Sequence, residues 1–330
     1  MNLLFIVFST SIILLFIGAH LLVNTAITIS NKLNINRIII GFTIVSFATS
    51  LPELFVTLSS SLRGYNDFAL GNIIGSNISN ISLVLGITAI ISPIIFSKKE
   101  IYLNYVPLIL ISSLFVFIFI KIGVLNLFSG ICSILILIGF NLFLFKNGKG
   151  LLKKEDQQKA DIFIFFGKEI KIKRLSYLIL FLLLGACVLW VGSEMLVNSS
   201  KEIALKLGVS DRVISISLVA LGTSLPELFS SIYAAYKKET QLAIGNLLGS
   251  NIFNMLAVLG ITSCVNEINI SNNLFSDSII MLLLTLLLLP CFYFRNILSF
   301  TKNNQTMLIS KLEGLSLLII YILYIAFVII

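Results

Sequence analysis

The sequence predicts an all-α membrane protein of ten transmembrane helices, arranged as two inverted five-helix repeats. Three observations predict it. Hydrophobic residues make up 58% of the 330 and charged residues 12%, so polar side chains are too scarce to cover a soluble globule of this size. Apolar runs continue for about 20 residues in several places, the length a helix needs to cross roughly 30 Å of hydrocarbon; a β-barrel would show short alternating segments instead. An unusual segment also occurs twice. Pro52-Glu53, Gly71-Asn72, Gly75-Ser76-Asn77 and Leu85-Gly86 return 174 residues later as Pro226-Glu227, Gly245-Asn246, Gly249-Ser250-Asn251 and Leu259-Gly260.

Hydropathy places the ten spans at 3–29, 38–62, 67–92, 102–121, 124–145, 175–199, 211–236, 240–265, 276–294 and 309–330. The first has no basic residue before Lys32 and no small-residue cleavage pattern behind it, so it reads as a membrane helix rather than a signal peptide. Residues 1–146 form the first repeat, with the recurring segment at 41–86, and residues 175–330 the second, with its copy at 215–260. Between them, 147–174 is a polar cytoplasmic linker in which a short amphipathic helix is expected around Ile162 to Phe166. The four cysteines, Cys132, Cys187, Cys264 and Cys291, all fall in apolar segments without metal-ligand spacing, and read as small packing residues.

The basic residues orient the chain. Of 23 Lys and Arg, 18 fall in odd-numbered connections, which places those connections in the cytoplasm and both termini outside. The net charge of +8 is therefore a topology signal, and with no basic patch interleaved with aromatics it does not indicate nucleic acid. Five spans per half is an odd number, so the second copy enters the membrane from the opposite side. The Pro-Glu pairs are then related by a pseudo-two-fold axis in the membrane plane, the arrangement of inverted-repeat secondary transporters. The match reaches the first span of each half, where Gly18-Ala19-His20-Leu21-Leu22-Val23-Asn24 corresponds to Gly192-Ser193-Glu194-Met195-Leu196-Val197-Asn198.

The repeated segment carries a specific chemistry. The second span reads as a helix running up to a break at Pro52, which withholds a hydrogen bond from the Ala48 carbonyl and crowds that of Thr49, and freed oxygens at membrane depth need a partner, which a cation supplies. Pro226 does the same to Gly222 and Thr223. Glu53, the next residue, shares a helix face with Thr49, Ser50 and Ser46, and Glu227 with Thr223, Ser224 and Ala220. The next span adds Asn72, Ser76 and Asn80 at successive four-residue steps, repeated as Asn246, Ser250 and Asn254. Gly71 with Gly75, and Gly245 with Gly249, are small-residue pairs that let a neighbouring helix approach. All these ligands are hard oxygens, a set suited to Ca²⁺ or Na⁺ and unsuited to zinc, copper or iron. Two glutamates neutralise one Ca²⁺, and an empty site would leave two anions in a low dielectric. Mutually exclusive occupancy by Ca²⁺, Na⁺ or protons is what an antiporter requires. His20 and Glu194 stand at matching positions but are chemically unlike, and read as inter-helix polar contacts rather than ligands.

The paired motifs, ATSLPEL with GNIIGSNISN and GTSLPEL with GNLLGSNIFN, resemble the α-repeats of the sodium/calcium exchanger family within the cation/calcium antiporter superfamily, in its compact prokaryotic form. The resemblance implies ten helices, of which the second, third, seventh and eighth hold the ions while the first and sixth slide to alternate access. Carried over position by position, it implies Ca²⁺ ligation by Glu53 and Glu227 with the carbonyls of Thr49 and Thr223. It implies Na⁺ sites at Ser50, Ser76, Ser224 and Ser250 with the carbonyls of Ser46 and Ala220, and amide oxygens from Asn80 and Asn254 at the centre. Many members have aspartate at one or both of these last positions, whereas both are asparagine here, which bears on stoichiometry and on K⁺ dependence. The expected activity is exchange of Ca²⁺ for Na⁺ across the cytoplasmic membrane, with no cofactor and no obligate protein partner. The alternatives are a proton-coupled Ca²⁺ or cation exchanger and a cation channel. Enzymatic chemistry is disfavoured, because the carboxylates and hydroxyls have no histidine base beside them and no orienting group.

Overall fold

The computed structural model describes residues 2–97, 105–148, 159–206, 222–271, 274–298 and 306–329. The chain is mostly helical. Helix α1 (Asn2–Leu33) is followed by α2 (Arg37–Thr49), α3 (Leu51–Leu62) and α4 (Asn66–Ile91). After strand β1 (Ile94–Ser97) come α5 (Val106–Lys121), β2 (Val124–Leu125) and α6 (Leu127–Gly148). A hairpin of β3 (Ile162–Phe165) and β4 (Lys168–Lys171) leads to α7 (Leu175–Lys206), then α8 (Leu225–Tyr236) and α9 (Thr240–Val265). The chain closes with β5 (Ile268–Asn269), α10 (Phe275–Leu298), β6 (Thr306–Ile309) and α11 (Lys311–Ile329).

Among the described residues six helices are long and apolar enough to span a bilayer, and α2 with α3 forms a seventh span bent by 44°. Shorter apolar helices cover Val106–Ile118 and Phe275–Leu288, at the fourth and ninth expected spans. The seventh is described only from 222 onward, and Ala220 lies outside the described residues. The protein is thus a multi-pass membrane protein. In α9 the whole of the apolar window is buried and in α4 83% of it, against 17% in α6 and α11. The two helices of the repeated motifs therefore form the core. Leu135, Leu142, Leu323 and Phe327 on the outer pair are exposed, as side chains facing lipid would be.

The 174-residue offset persists in three dimensions. Helices α3 and α8 share their boundaries at that offset, and π-helical turns interrupt α4 at Asn80–Val84 and α9 at Asn254–Val258. Matched elements also exchange partners: β1 pairs with β6, and β5 with β2. The first helices of the two halves, α1 and α7, pack backbone to backbone. A Cβ on Gly18 would come within 2.8 Å of Leu189, and one on Gly185 within 2.8 Å of the Leu22 amide, while Gly192 faces Leu15. Residue numbers rise on one helix as they fall on the other, so the two run antiparallel.

Two local expectations are corrected. The linker segment at Ile162 to Phe166 is not a helix but one arm of a β-hairpin. Its turn residues Phe166 (φ 43) and Gly167 (φ 84) both have positive φ, the conformation of a tight two-residue hairpin turn, and the alternating Ile and Phe favour a strand. The hairpin sits on α1: Asp161 pairs with Lys32, Thr28 Oγ1 donates to the Ile162 carbonyl at 3.2 Å, and Phe163 stacks on Phe181 of α7 at 5.4 Å. The break expected at Pro52 is present but falls at Ser50, so Glu53 does not continue the helix face of Thr49 and Ser46. The chain leaves α2 at Ser50 (φ −85, ψ 7) and Pro52 lies in the first turn of α3, where its missing N–H would have had no helical partner anyway. Ser224 (φ −84, ψ 0) makes the same break ahead of Pro226.

Candidate cation site

These breaks aim the glutamates. Glu53 and Glu227 each fall in the first turn of a helix that follows one of these breaks, and the side chains of both are fully buried. Around them the hydroxyls predicted from sequence converge. Ser76 Oγ donates to Glu53 Oε1 at 2.9 Å, and Ser250 Oγ to Glu227 Oε1 at 3.2 Å. Ser50 Oγ also reaches Glu227 Oε1, at 3.4 Å, and the hydroxyls of Ser76 and Ser224 are 3.1 Å apart. Each carboxylate is thus met by its own repeat, and the two repeats touch through serines.

The threonines turn to the outer part of the centre. Thr49 Oγ1 donates to Asn246 Oδ1 at 3.1 Å and Thr223 Oγ1 to Asn72 Oδ1 at 3.3 Å. Those amides are anchored in turn, Asn72 Nδ2 on Thr57 Oγ1 at 3.1 Å and Asn246 Nδ2 on Ser230 Oγ at 3.0 Å and Ser231 Oγ at 3.3 Å. Ser46 is buried, and its hydroxyl bonds the Phe42 carbonyl. Three of these contacts have mirror images in the other half: Ser76–Glu53 with Ser250–Glu227, Thr49–Asn246 with Thr223–Asn72, and Asn72–Thr57 with Asn246–Ser231. The approach of α2 to α9 rests on Gly245 and Gly249, where a Cβ would overlap the backbone of Ile38 and Phe42.

The asparagines complete the centre. Asn80 and Asn254 are fully buried at the first residue of the two π-helical turns, an irregularity concentrated at functional sites. Asn80 Nδ2 donates to Asn251 Oδ1 and Asn254 Nδ2 to Asn77 Oδ1, both at 3.0 Å. Four oxygens at this centre are then left buried without a hydrogen-bond partner among the described residues: Glu53 Oε2, Glu227 Oε2, Asn80 Oδ1 and Asn254 Oδ1. Each would cost about 1–3 kcal/mol if it stayed unsatisfied. Two carboxylates, two amide oxygens and the serines between them have the composition of a site for a hard cation.

His20 lies apart from this centre. Its Nδ1 is 2.7 Å from Tyr233 OH, its Nε2 accepts the Phe166 N–H at 3.0 Å, and its ring stacks on Phe166 at 4.1 Å. It is an inter-element contact that holds the hairpin. Glu194, at the matching place on α7, lines an open cavity of about 480 Å³ with Asn198 and Glu202. Sequence reasoning assigned no role to Asn77, Asn251, Thr57 or Ser231. The third residue of each repeated Gly-Ser-Asn was the available signal.

The fold and its centre define a multi-pass membrane protein whose two matched halves enclose an all-oxygen, doubly acidic core. The chain belongs to the sodium/calcium exchanger family, matching the family described as "Sodium/calcium exchanger protein" over residues 3–146 and 177–330. It is 33% identical over 322 residues to the membrane protein MJ0091 of Methanocaldococcus jannaschii, covering 97% of this chain and 96% of that one. It is 27% identical to the sodium/calcium exchanger MaX1 of Methanosarcina acetivorans, over 86% of this chain and 90% of that one. Among solved structures it resembles the sodium-calcium exchanger NCX_Mj soaked with 2.5 mM Na⁺ and 1 mM Sr²⁺, with a TM-score of 0.79, 30% identity and 99% of both chains covered.

Proposed function

We propose that the protein is a secondary antiporter that moves Ca²⁺ out of the cytoplasm in exchange for Na⁺ by alternating access. The observation that carries this reading is the set of four unpartnered oxygens at the centre, Glu53 Oε2, Glu227 Oε2, Asn80 Oδ1 and Asn254 Oδ1. Their two formal charges match one Ca²⁺, or Na⁺ ions in its place, and hard oxygen ligands suit both. The serine hydroxyls of Ser50, Ser76, Ser224 and Ser250 and the carbonyls of Thr49, Thr223, Ser46 and Ala220 supply the remaining oxygens of the Na⁺ and Ca²⁺ positions.

In this reading the two halves are inverted five-helix repeats, and the antiparallel packing of α1 on α7 supports it. Those two helices meet through Gly18, Gly185 and Gly192, a smooth seam along which the pair slides past the four-helix centre. A loaded site is neutral and crosses; an empty one holds two buried anions and resists the transition. The protein resides in the cytoplasmic membrane with both termini outside, as the distribution of basic residues requires. The deciding experiment is ⁴⁵Ca²⁺ uptake into proteoliposomes under an outward Na⁺ gradient, compared with a proton gradient of equal size. Uptake driven by Na⁺ is expected, and uptake indifferent to Na⁺ overturns the proposal.

A further inference from the structure

Resting on the proposed cation site, we infer that Asn77 and Asn251 are positioning residues that dictate which atom of the Asn80 and Asn254 amides faces the ion. A carboxamide presents either an oxygen that attracts a cation or an NH₂ that repels it, and the two ends have nearly the same shape. Packing alone therefore cannot select the oxygen.

A backbone carbonyl selects it, because a carbonyl can only accept. The Asn77 carbonyl accepts from Asn251 Nδ2 at 3.2 Å, which commits the NH₂ of Asn251 and turns its Oδ1 the other way. That oxygen meets the Asn80 side chain at 3.0 Å, so Asn80 must offer its NH₂ there. Its oxygen is left over, buried and unpartnered. The second half runs the same chain in mirror image, with one added contact from Asn254 Nδ2 to Ser76 Oγ at 3.4 Å. The Asn251 carbonyl accepts from Asn77 Nδ2 at 3.4 Å, Asn77 Oδ1 accepts from Asn254 Nδ2 at 3.0 Å, and Asn254 Oδ1 is left free. All four side chains are at most 1% exposed, so a reversed amide would give up these protein hydrogen bonds away from bulk solvent. Each asparagine in the site is oriented by the opposite half, and the polarity of both is fixed by main-chain groups that substitution does not remove.

The test separates orientation from packing. Asn251→Ala removes the acceptor for Asn80 Nδ2, freeing that amide to turn. Reconstituted Asn251→Ala is expected to need about tenfold more Ca²⁺ for half-maximal exchange, with its saturated rate nearly unchanged, as when a ligand oxygen is traded for an N–H. In an Asn80→Asp background, where the two carboxylate oxygens are equivalent, adding Asn251→Ala should raise the Ca²⁺ requirement no further. An equal penalty in both backgrounds, or none in the wild type, overturns the inference. If Asn251→Ala does not fold, Asn77→Ala tested with and without Asn254→Asp gives the same reading from the other half. Glu227→Gln measured in the same vesicles tests the cation site itself: wild-type exchange in that variant defeats the site, whatever the amides do.

Discussion

Ser50 donates a hydrogen bond to Glu227 at 3.4 Å across the centre of the molecule, from the residue at which one half breaks its helix to the acid that the other half presents. The two helix breaks and the two acids thus belong to one assembly. Changing either half should disable both.

Replacing one acid tests this directly. Glu53→Gln and Glu227→Gln keep the size and one acceptor oxygen but remove one of the two charges. Each should lower Ca²⁺ exchange by at least about a hundredfold, the factor corresponding to ~3 kcal/mol for unmaking a buried charge pair. Both should remain folded and inserted, as judged by size-exclusion profile. Wild-type exchange in either variant would remove that residue from the site.

The α1–α7 seam makes a different prediction. Gly185→Ala puts a methyl group 2.8 Å from the Leu22 amide, closer than packed atoms tolerate. If the helices slide, turnover should fall severalfold while Ca²⁺ binding to the detergent-solubilised protein, followed by calorimetry, stays unchanged. A parallel loss of binding would show that the seam holds the site rather than moves.

Between α2 and α9 the close approach should be static. Gly249→Val would drive a side chain into the Phe42 backbone, and overpacking of this kind costs about 1–3 kcal/mol. The expected result is a thermal midpoint lowered by several degrees, measured by intrinsic fluorescence in detergent. An unchanged midpoint would contradict the packing.

The hairpin can be probed without transport. His20→Ala deletes the acceptor for the Phe166 N–H and the ring on which Phe166 stacks. With about 1–2 kcal/mol of local support lost, limited proteolysis within 160–174 should accelerate roughly tenfold. Equal cleavage rates for variant and wild type would mean that other contacts hold the hairpin.

Much of this protein could be read before any coordinates. Composition and apolar run length make it a membrane protein, because nothing else could hide so much apolar surface. The recurrence of Pro-Glu and Gly-Ser-Asn marks two related halves and names the oxygen-bearing residues that the fold brings together. Those are local properties of residue type and spacing. The hairpin is hidden from the sequence because so short an amphipathic stretch fits a helix as readily as a strand, whereas the positive-φ turn at Phe166 and Gly167 is set by backbone geometry. The π-helical turns at Asn80 and Asn254 leave no trace in a hydrophobic pattern, since the residues around them are buried on every side. Only the tertiary structure decided which oxygens remain free. Glu53 and Asn80 each carry several polar atoms, and which of them is spent on a hydrogen bond depends on groups far along the chain, such as Asn251 for Asn80. Sequence determined the inventory of oxygen-bearing residues; the assignment of each atom to a partner or to the centre is made by contacts between the halves, and those exist only once the chain has closed around them.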